Sequence, residues 1–479
     1  MMPKLTYRII LTLAVLLIPT VVLAQQGKVY VLQAIDSRAE VYRDVALQIW
    51  DFAELGYLEE KSSALLQEQL RQAGFSVKTG VADIPTAFVA SFGSGQPVIA
   101  ILAEFDALPG LSQEAVPTRQ RRLEKASGHA CGHHLFGTAS TAAAIAVKAW
   151  LSQSGTTGTI RLFGTPAEEG GSGKVYMVRA GLFDDVDVVL HWHPGGENSA
   201  SPYTTNANRS AKFLFQGVSS HAAGAPERGR SALDGVEAMN HMVNLLREHV
   251  PQETRIHYVI TQGGLAPNVV PERAEVYYYV RNPDAEELNG IWERVLQAAR
   301  GAAMGTGTTV HWEVIHGNHS VLPNHTLSRL IHSNLQQLGG IRYTPEEIAF
   351  AREIRQTLGR VELPLGSEKT IQPYHLQHRA SSTDVGDVSW TAPTGGFRVA
   401  TWVPGTVSHS WQAVAAGGMS IGLKGMILAA KVLAVTSVDL FTDPSISQEA
   451  NREWKEKRGP DYHYDSLLGD RDPPLDYRH

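Results

Sequence analysis

The sequence predicts an α/β protein in which a metal-binding mixed-sheet domain is interrupted by a smaller domain of ferredoxin-like type. Two observations predict this. Continuous apolar runs end in acidic or histidine-bearing turns and alternate with helix-like segments, the pattern of buried strands with chemistry at their C-terminal ends. Between residues 209 and 318 the segment order becomes β-α-β-β-α-β, the split βαβ pattern, at a size suited to it.

Taken along the chain, Val41–Leu55 and Ser62–Ala73 have apolar residues three and four apart and predict helices. Pro97–Phe105 is a continuous apolar run that ends in Glu104 and Asp106, as a buried strand would. Leu135–Leu151, rich in Ala and Thr, predicts a close-packed helix, and Thr159–Thr165 and Asp187–His193 predict strands. The inserted unit reads as strand 211–217, helix 231–249, strands 256–261 and 274–281, helix 285–304 and strand 308–315. Asn324–Leu338 predicts a helix, Glu346–Gln377 irregular structure, and Trp411–Leu440 a glycine-interrupted close-packed helix. The charged, aromatic tail reads as a surface or partner-docking segment. The expected domains are 25–208 with 319–445, an inserted lid at 209–318, and a tail at 446–479.

With 43% apolar and 19% charged residues, the 479-residue chain has the composition of a globular protein. A net charge of −6 without a long basic block excludes a nucleic-acid partner. Lys4 and Arg8 precede the apolar run 9–23, and Val22-Leu23-Ala24 fits a small-residue cleavage site. These features predict a signal peptide over 1–24 and a periplasmic or extracellular protein. The alternative is an uncleaved N-terminal membrane anchor.

The only cysteine, Cys131, cannot form an intrachain disulfide, so metal or burial must protect it. It lies two residues from both His129 and His133, a spacing from which thiolate and imidazole reach one divalent ion. Four further clusters sit near predicted strand ends. Glu104 and Asp106 share one strand face. Glu168 and Glu169 are adjacent in a Gly-rich turn, where one can bind metal while its neighbour takes a proton from water. His191 and His193 share a strand face, and His409 precedes an apolar helix. Cys131, His133, Glu169, His193 and His409 are too many ligands for one catalytic zinc, which usually takes three. They suit two divalent metals sharing a water, as Zn or Mn, with Co or Ni also compatible.

With these motifs assembled, the chain resembles the dinuclear metallopeptidases that include aminoacylases and carboxypeptidases. Within them it is similar to the amidohydrolase branch of hippurate, auxin-conjugate and p-aminobenzoyl-glutamate hydrolases. The matching segments are Asp106–Pro109, His129–His133, Pro166–Glu169, His191–Pro194, Ser220–Ala223, Pro267–Pro271, and Gly405-Thr406 with His409. They fall in family order. Cys131–Gly137 and Thr383–Trp390 are most similar to the p-aminobenzoyl-glutamate hydrolases.

The resemblance implies a metal domain with a lid that dimerises, giving a homodimer or an assembly with a related subunit. It implies that Cys131 bridges or binds the metals, with His133, Glu169, a strand histidine and His409 as the other ligands, and Glu168 as general base. His221 would stabilise the oxyanion, from its own or the neighbouring subunit, and Asn268 and Arg281 would hold a substrate carboxylate. Counting from Asp187 selects His193 as the strand ligand, whereas counting back from Pro194 selects His191. His193 is favoured, with His191, Asp106 and His134 behind the ligands. The implied reaction is hydrolysis of the amide of an N-acyl amino acid, first a glutamate conjugate. A metallo-dipeptidase or carboxypeptidase, and a non-catalytic binding subunit, are the rival expectations.

Overall fold

The computed structural model describes residues 24–478. The expected signal peptide or anchor falls almost wholly on 1–23 and lies outside the described residues. Residues 24–37 are helical and bury Val31 and Ile35, and the helix Ala39–Phe52 continues the same layer.

The central sheet contains β1 (Ser76–Thr79), β2 (Phe88–Ser94), β3 (Val98–Ala103), β4 (Gly158–Gly164) and β5 (Val188–Gly195). A second four-stranded sheet is formed by β6 (Ala207–Gln216), β7 (Arg255–Gln262), β8 (Arg273–Asn282) and β9 (Thr309–Asn318). The chain then returns to the first sheet with β10 (Thr394–Ala400). The central order is β1-β2-β4-β3-β5-β10. Strands β4, β3, β5 and β10 run parallel, and β1 and β2 add antiparallel at one edge. Every side chain of β3 is buried, as a strand covered on both faces requires. The helices His133–Ser154 and Ser420–Thr442 pack on each other and on this sheet. Both are long and apolar enough to cross a membrane, yet they are 83% and 89% buried inside the protein, which makes them core helices.

The second sheet has order β7-β8-β6-β9, wholly antiparallel. The helices Ala232–Leu246 and Ala285–Thr306 pack with it around a core of Phe213, Phe215, Tyr278 and Trp292. In β8 the residues Ala274, Val276, Tyr278 and Val280 face that core. Alternation therefore turns Tyr277, Tyr279 and Arg281 to the other face, towards the first domain.

Three sequence expectations are corrected. The β1–β2 hairpin and β10 had not been anticipated: β1 is largely exposed, and two glycines open β10, so neither shows a clear apolar pattern. Part of 346–377 is regular, since Pro345–Gln356 is a helix started by Thr344 and Glu347 as a reciprocal capping box. The tail is not a free surface segment. After the helix Pro444–Arg458, Leu467 enters the core of the second domain and Leu468 that of the first. Arg471 pairs with Glu313 and also bonds the Val314 carbonyl, so the tail covers the β9 edge.

Candidate metal centre

Strand ends and helix starts deliver the site. Glu104 and Asp106 follow β3 and are fully buried. Gly132, with φ 78°, caps the N-terminus of the helix that begins at His133. Any Cβ there would meet Pro194 Cβ at 2.7 Å, so this turn needs glycine for both backbone sign and space. His133 Nδ1 pairs with Asp106 Oδ1 at 2.8 Å, and its Nε2 lies 3.1 Å from Glu104 Oε2. Asp106 Oδ2 also accepts from the Glu169 amide at 2.9 Å, tying the Glu168-Glu169 turn to the same carboxylate. The preceding Ala167 takes φ 57°, and its amide donates to buried Glu59 at 2.8 Å.

Cys131 lies at the centre. Its Sγ is 3.4 Å from His193 Nε2, while His193 Nδ1 is 2.7 Å from the Pro194 carbonyl. His409, at φ 59° with its backbone N–H donating a hydrogen bond to the Ala130 carbonyl, places Nε2 3.1 Å from Glu169 Oε1. Donor atoms of Cys131, His133 and His193 lie within 4.8 Å of one another, and so do those of Cys131, Glu169 and His409. The two triads share the thiol. A third group, Glu104, His133 and Glu168, adjoins them.

The donor set fits two divalent cations. His133 Nε2 and Glu104 Oε2 face each other at 3.1 Å, buried and without a hydrogen bond of good geometry among the described residues, an arrangement costly unless a cation satisfies them. Electrostatics point the same way. Burial works against a charged His133, but Cys131, Asp106 and Glu104 raise its pKa well above the usual imidazole value. Hydrogen bonds to Cys131 and Glu169 raise His409 to about 11. A site that holds protons this tightly on ligand nitrogens has a surplus of negative charge, for which a metal competes. Burial, then Glu104 and Glu169, pushes Glu168 well above the ordinary carboxylate range.

His191 is buried on the same face as His193 but belongs to none of these groups. Gly396 on β10 lies opposite it, where a Cβ would fall 2.0 Å from His191 Nε2, so the imidazole occupies the space of a missing side chain. His134 does not stand behind the ligands. One helix residue on from His133, it turns about 100° away and bonds the Gly417 carbonyl at 3.1 Å. Sequence reading missed Lys174 and Asp384. Lys174 is fully buried and spans Glu104 and Asp384 at 2.7 Å each, fixing the carboxylates behind the site. A lysine directly before the apolar segment Val175–Val178 is the available signal.

Arg281 lines a cleft of about 800 Å³ between the two domains, together with Glu168, Glu169, His409, Tyr277 and Tyr279. Tyr477 and Arg478 of the tail enter the same cleft and bond the Glu169 carbonyl. His221 and Asn268 are not brought there. They lie on adjoining exposed loops, joined by a hydrogen bond from the Ala222 N–H to the Asn268 carbonyl. His221 Nδ1 accepts from the Ala223 and Gly224 amides, so the ring proton sits on Nε2, which remains free to donate.

Residues 100–375 match the model of peptidase family M20/M25/M40. The chain belongs to this family. It is 44% identical to the B subunit of p-aminobenzoyl-glutamate hydrolase from Escherichia coli, over 88% of this chain and 93% of that protein. It is 30% identical to Xaa-Arg dipeptidase of Mus musculus over 88% of this chain and 91% of that one. Among solved structures, a dinuclear metal-binding peptidase of the M20 family from Bacillus subtilis superposes with a TM-score of 0.56 at 17% identity. It covers 85% of this chain and 99% of its own, and shares the fold. The protein is thus an M20-type metallohydrolase.

Proposed function

We propose that the protein is a two-metal amidohydrolase that cleaves the amide of an N-acyl amino acid, with an aminobenzoyl-glutamate-like conjugate as first candidate. The observation that carries this reading is the thiol of Cys131 shared by two ligand triads, with Glu168 beside them. Metals held by His133 and His193 on one side and Glu169 and His409 on the other would supply Lewis acidity and lower the pKa of water. Glu168 takes the proton from the attacking water and returns it to the leaving amine, the work of a carboxylate held in reach of both. Arg281 orients the substrate's carboxylate from the lid face. His221 donates a hydrogen bond from its Nε2–H to the carbonyl oxygen as charge develops there.

His221 and Asn268 lie outside the cleft of their own chain, which supports delivery from a second protomer. Strand β7 supports the same reading. Its outer edge is unpaired among the described residues and carries exposed Tyr258, Val259 and Ile260, next to the fully exposed Leu265. The proposed assembly is a homodimer through a ferredoxin-like lid at 209–318. The Escherichia coli relative is one of the subunits of its hydrolase, which makes a related chain the second partner to test. Export after cleavage near Ala24 is proposed from the basic and apolar residues before it.

The test is metal content together with turnover of p-aminobenzoyl-glutamate, hippurate, N-acyl amino acids and dipeptides, with Zn or Mn restored. About two metals per chain and chelator-sensitive release of an amino acid are expected. In Glu168→Gln, turnover falls by about 10²–10⁴ while metal content stays the same. Restored metal without turnover of any amide would leave the non-catalytic binding reading in its place.

A further inference from the structure

A second cavity, of about 140 Å³, adjoins the metal ligands and is lined by two arginines that the proposed reaction leaves without a task. Its walls include Cys131, Glu168, His193 and His409 on one hand, and Tyr203, Ser382, Arg379 and Arg398 on the other. Arg398 lies on β10 in register with His193 on β5, so both side chains leave the sheet on the same face. Arg379 ends the short strand Gln377–Arg379, which pairs with Tyr203–Thr205, and its guanidinium stacks 3.9 Å from the Tyr203 ring. The chain therefore places two guanidinium groups beside the ligand cluster by two independent strand pairings.

Neither forms an ion pair among the described residues. The nearby Lys174 is saturated by Glu104 and Asp384. Arg379 donates to the neutral Gln377 Oε1 at 3.2 Å. The carboxylate that attracts it, Glu197, forms no ion pair with it. Arg398 Nε and Ser382 Oγ are buried without any hydrogen-bond partner. Burial, then the like charge of Arg398, lowers the Arg379 pKa to about 10. Two partly buried guanidiniums, mutually repelling and short of acceptors, form a site that an anion relieves. The planar, five-donor guanidinium matches a carboxylate in particular.

We propose that this cavity is the subsite for a second carboxylate of the substrate, the side-chain acid of a glutamate- or aspartate-type residue. Arg379 and Arg398 bind it and Ser382 donates a further hydrogen bond. Arg281, in the adjoining cleft that shares Glu168, Glu169 and His409 with this cavity, is left to hold the first carboxylate. The inference rests on the amidohydrolase reading and adds to it the residues that would select amides of acidic amino acids over their neutral isosteres.

The test compares p-aminobenzoyl-glutamate with p-aminobenzoyl-glutamine on the metal-loaded full chain and on Arg379→Met, Arg398→Met and Arg281→Met, with metal content measured for each. Charge-assisted hydrogen bonds of this kind correspond to a preference of about 10- to 100-fold in kcat/KM for glutamate, expressed mainly in KM. The preference should collapse in the Arg379 and Arg398 variants, recover in part in Arg398→Lys, and persist in Arg281→Met, which weakens both substrates alike. Equal turnover of the two amides by the wild type overturns this inference alone, whether or not the variants fold. So does a preference that is lost only in Arg281→Met. No turnover of any amide overturns the hydrolase reading and this inference with it.

Discussion

Two histidines two residues apart on one strand have different fates because of what lies opposite each. His193 meets Cys131 at 3.4 Å, and His191 fills the hollow left by Gly396. The expected outcome is that His193→Ala loses metal, measured by elemental analysis after dialysis, whereas His191→Ala keeps it. The reverse result would exchange their roles. The same contrast holds for the adjacent residues His133 and His134. The helix turn sends one to the cavity and the other to the Gly417 carbonyl. Residue types and spacing proposed the right neighbourhood, but a pattern of His and Pro cannot say which imidazole has room to reach the thiol.

Elements are held by charges as well as by apolar faces. Lys174, on the helix Gly173–Arg179, joins Glu104 after β3 to Asp384 before the helix Val385–Thr391. Lys174→Met leaves two buried carboxylates uncompensated and should cost about 3–5 kcal/mol, read from denaturant unfolding. An unchanged midpoint would mean that water reaches these groups. Glu453, on the helix Pro444–Arg458, caps the start of His325–Leu338 by accepting from the His325 and Thr326 amides. Burial opposes its ionisation, but Lys457 and those amides lower its pKa to about 2. A carboxyl lowered on folding contributes stability above its unfolded pKa, and that stability is lost as pH falls through the folded value. After solvent screening, Glu453→Gln should cost about 1 kcal/mol at neutral pH. The gap from wild type should close between about pH 4.5 and pH 2 in acid unfolding curves.

For the molecule as a whole, an incomplete cleft and an unpaired edge strand make one joint prediction. If His221 acts across a dimer, Glu168→Gln and His221→Ala protomers are each inactive alone, but mixed dimers recover activity because one of the two sites is intact. Co-expression with differently tagged chains measures this. Val259→Lys, on the exposed face of β7, should shift the protein to monomer in light scattering and lower turnover with it. An active monomer would place the oxyanion donor within one chain.

Local sequence was enough for the α/β class, the order of strands and helices in the inserted unit, and nearly all the candidate ligands. Strand and helix periodicity is local, and a thiol, carboxylates and histidines at strand ends announce their chemistry without help from distant contacts. Tertiary contacts were needed to show that Cys131 is common to two ligand groups and that Lys174 ties Glu104 to Asp384. They also revealed that the tail straps both domains and that Arg379 and Arg398 meet beside the metal centre. Each of these joins residues far apart in sequence, and no spacing along the chain records a neighbour brought by parallel strand pairing.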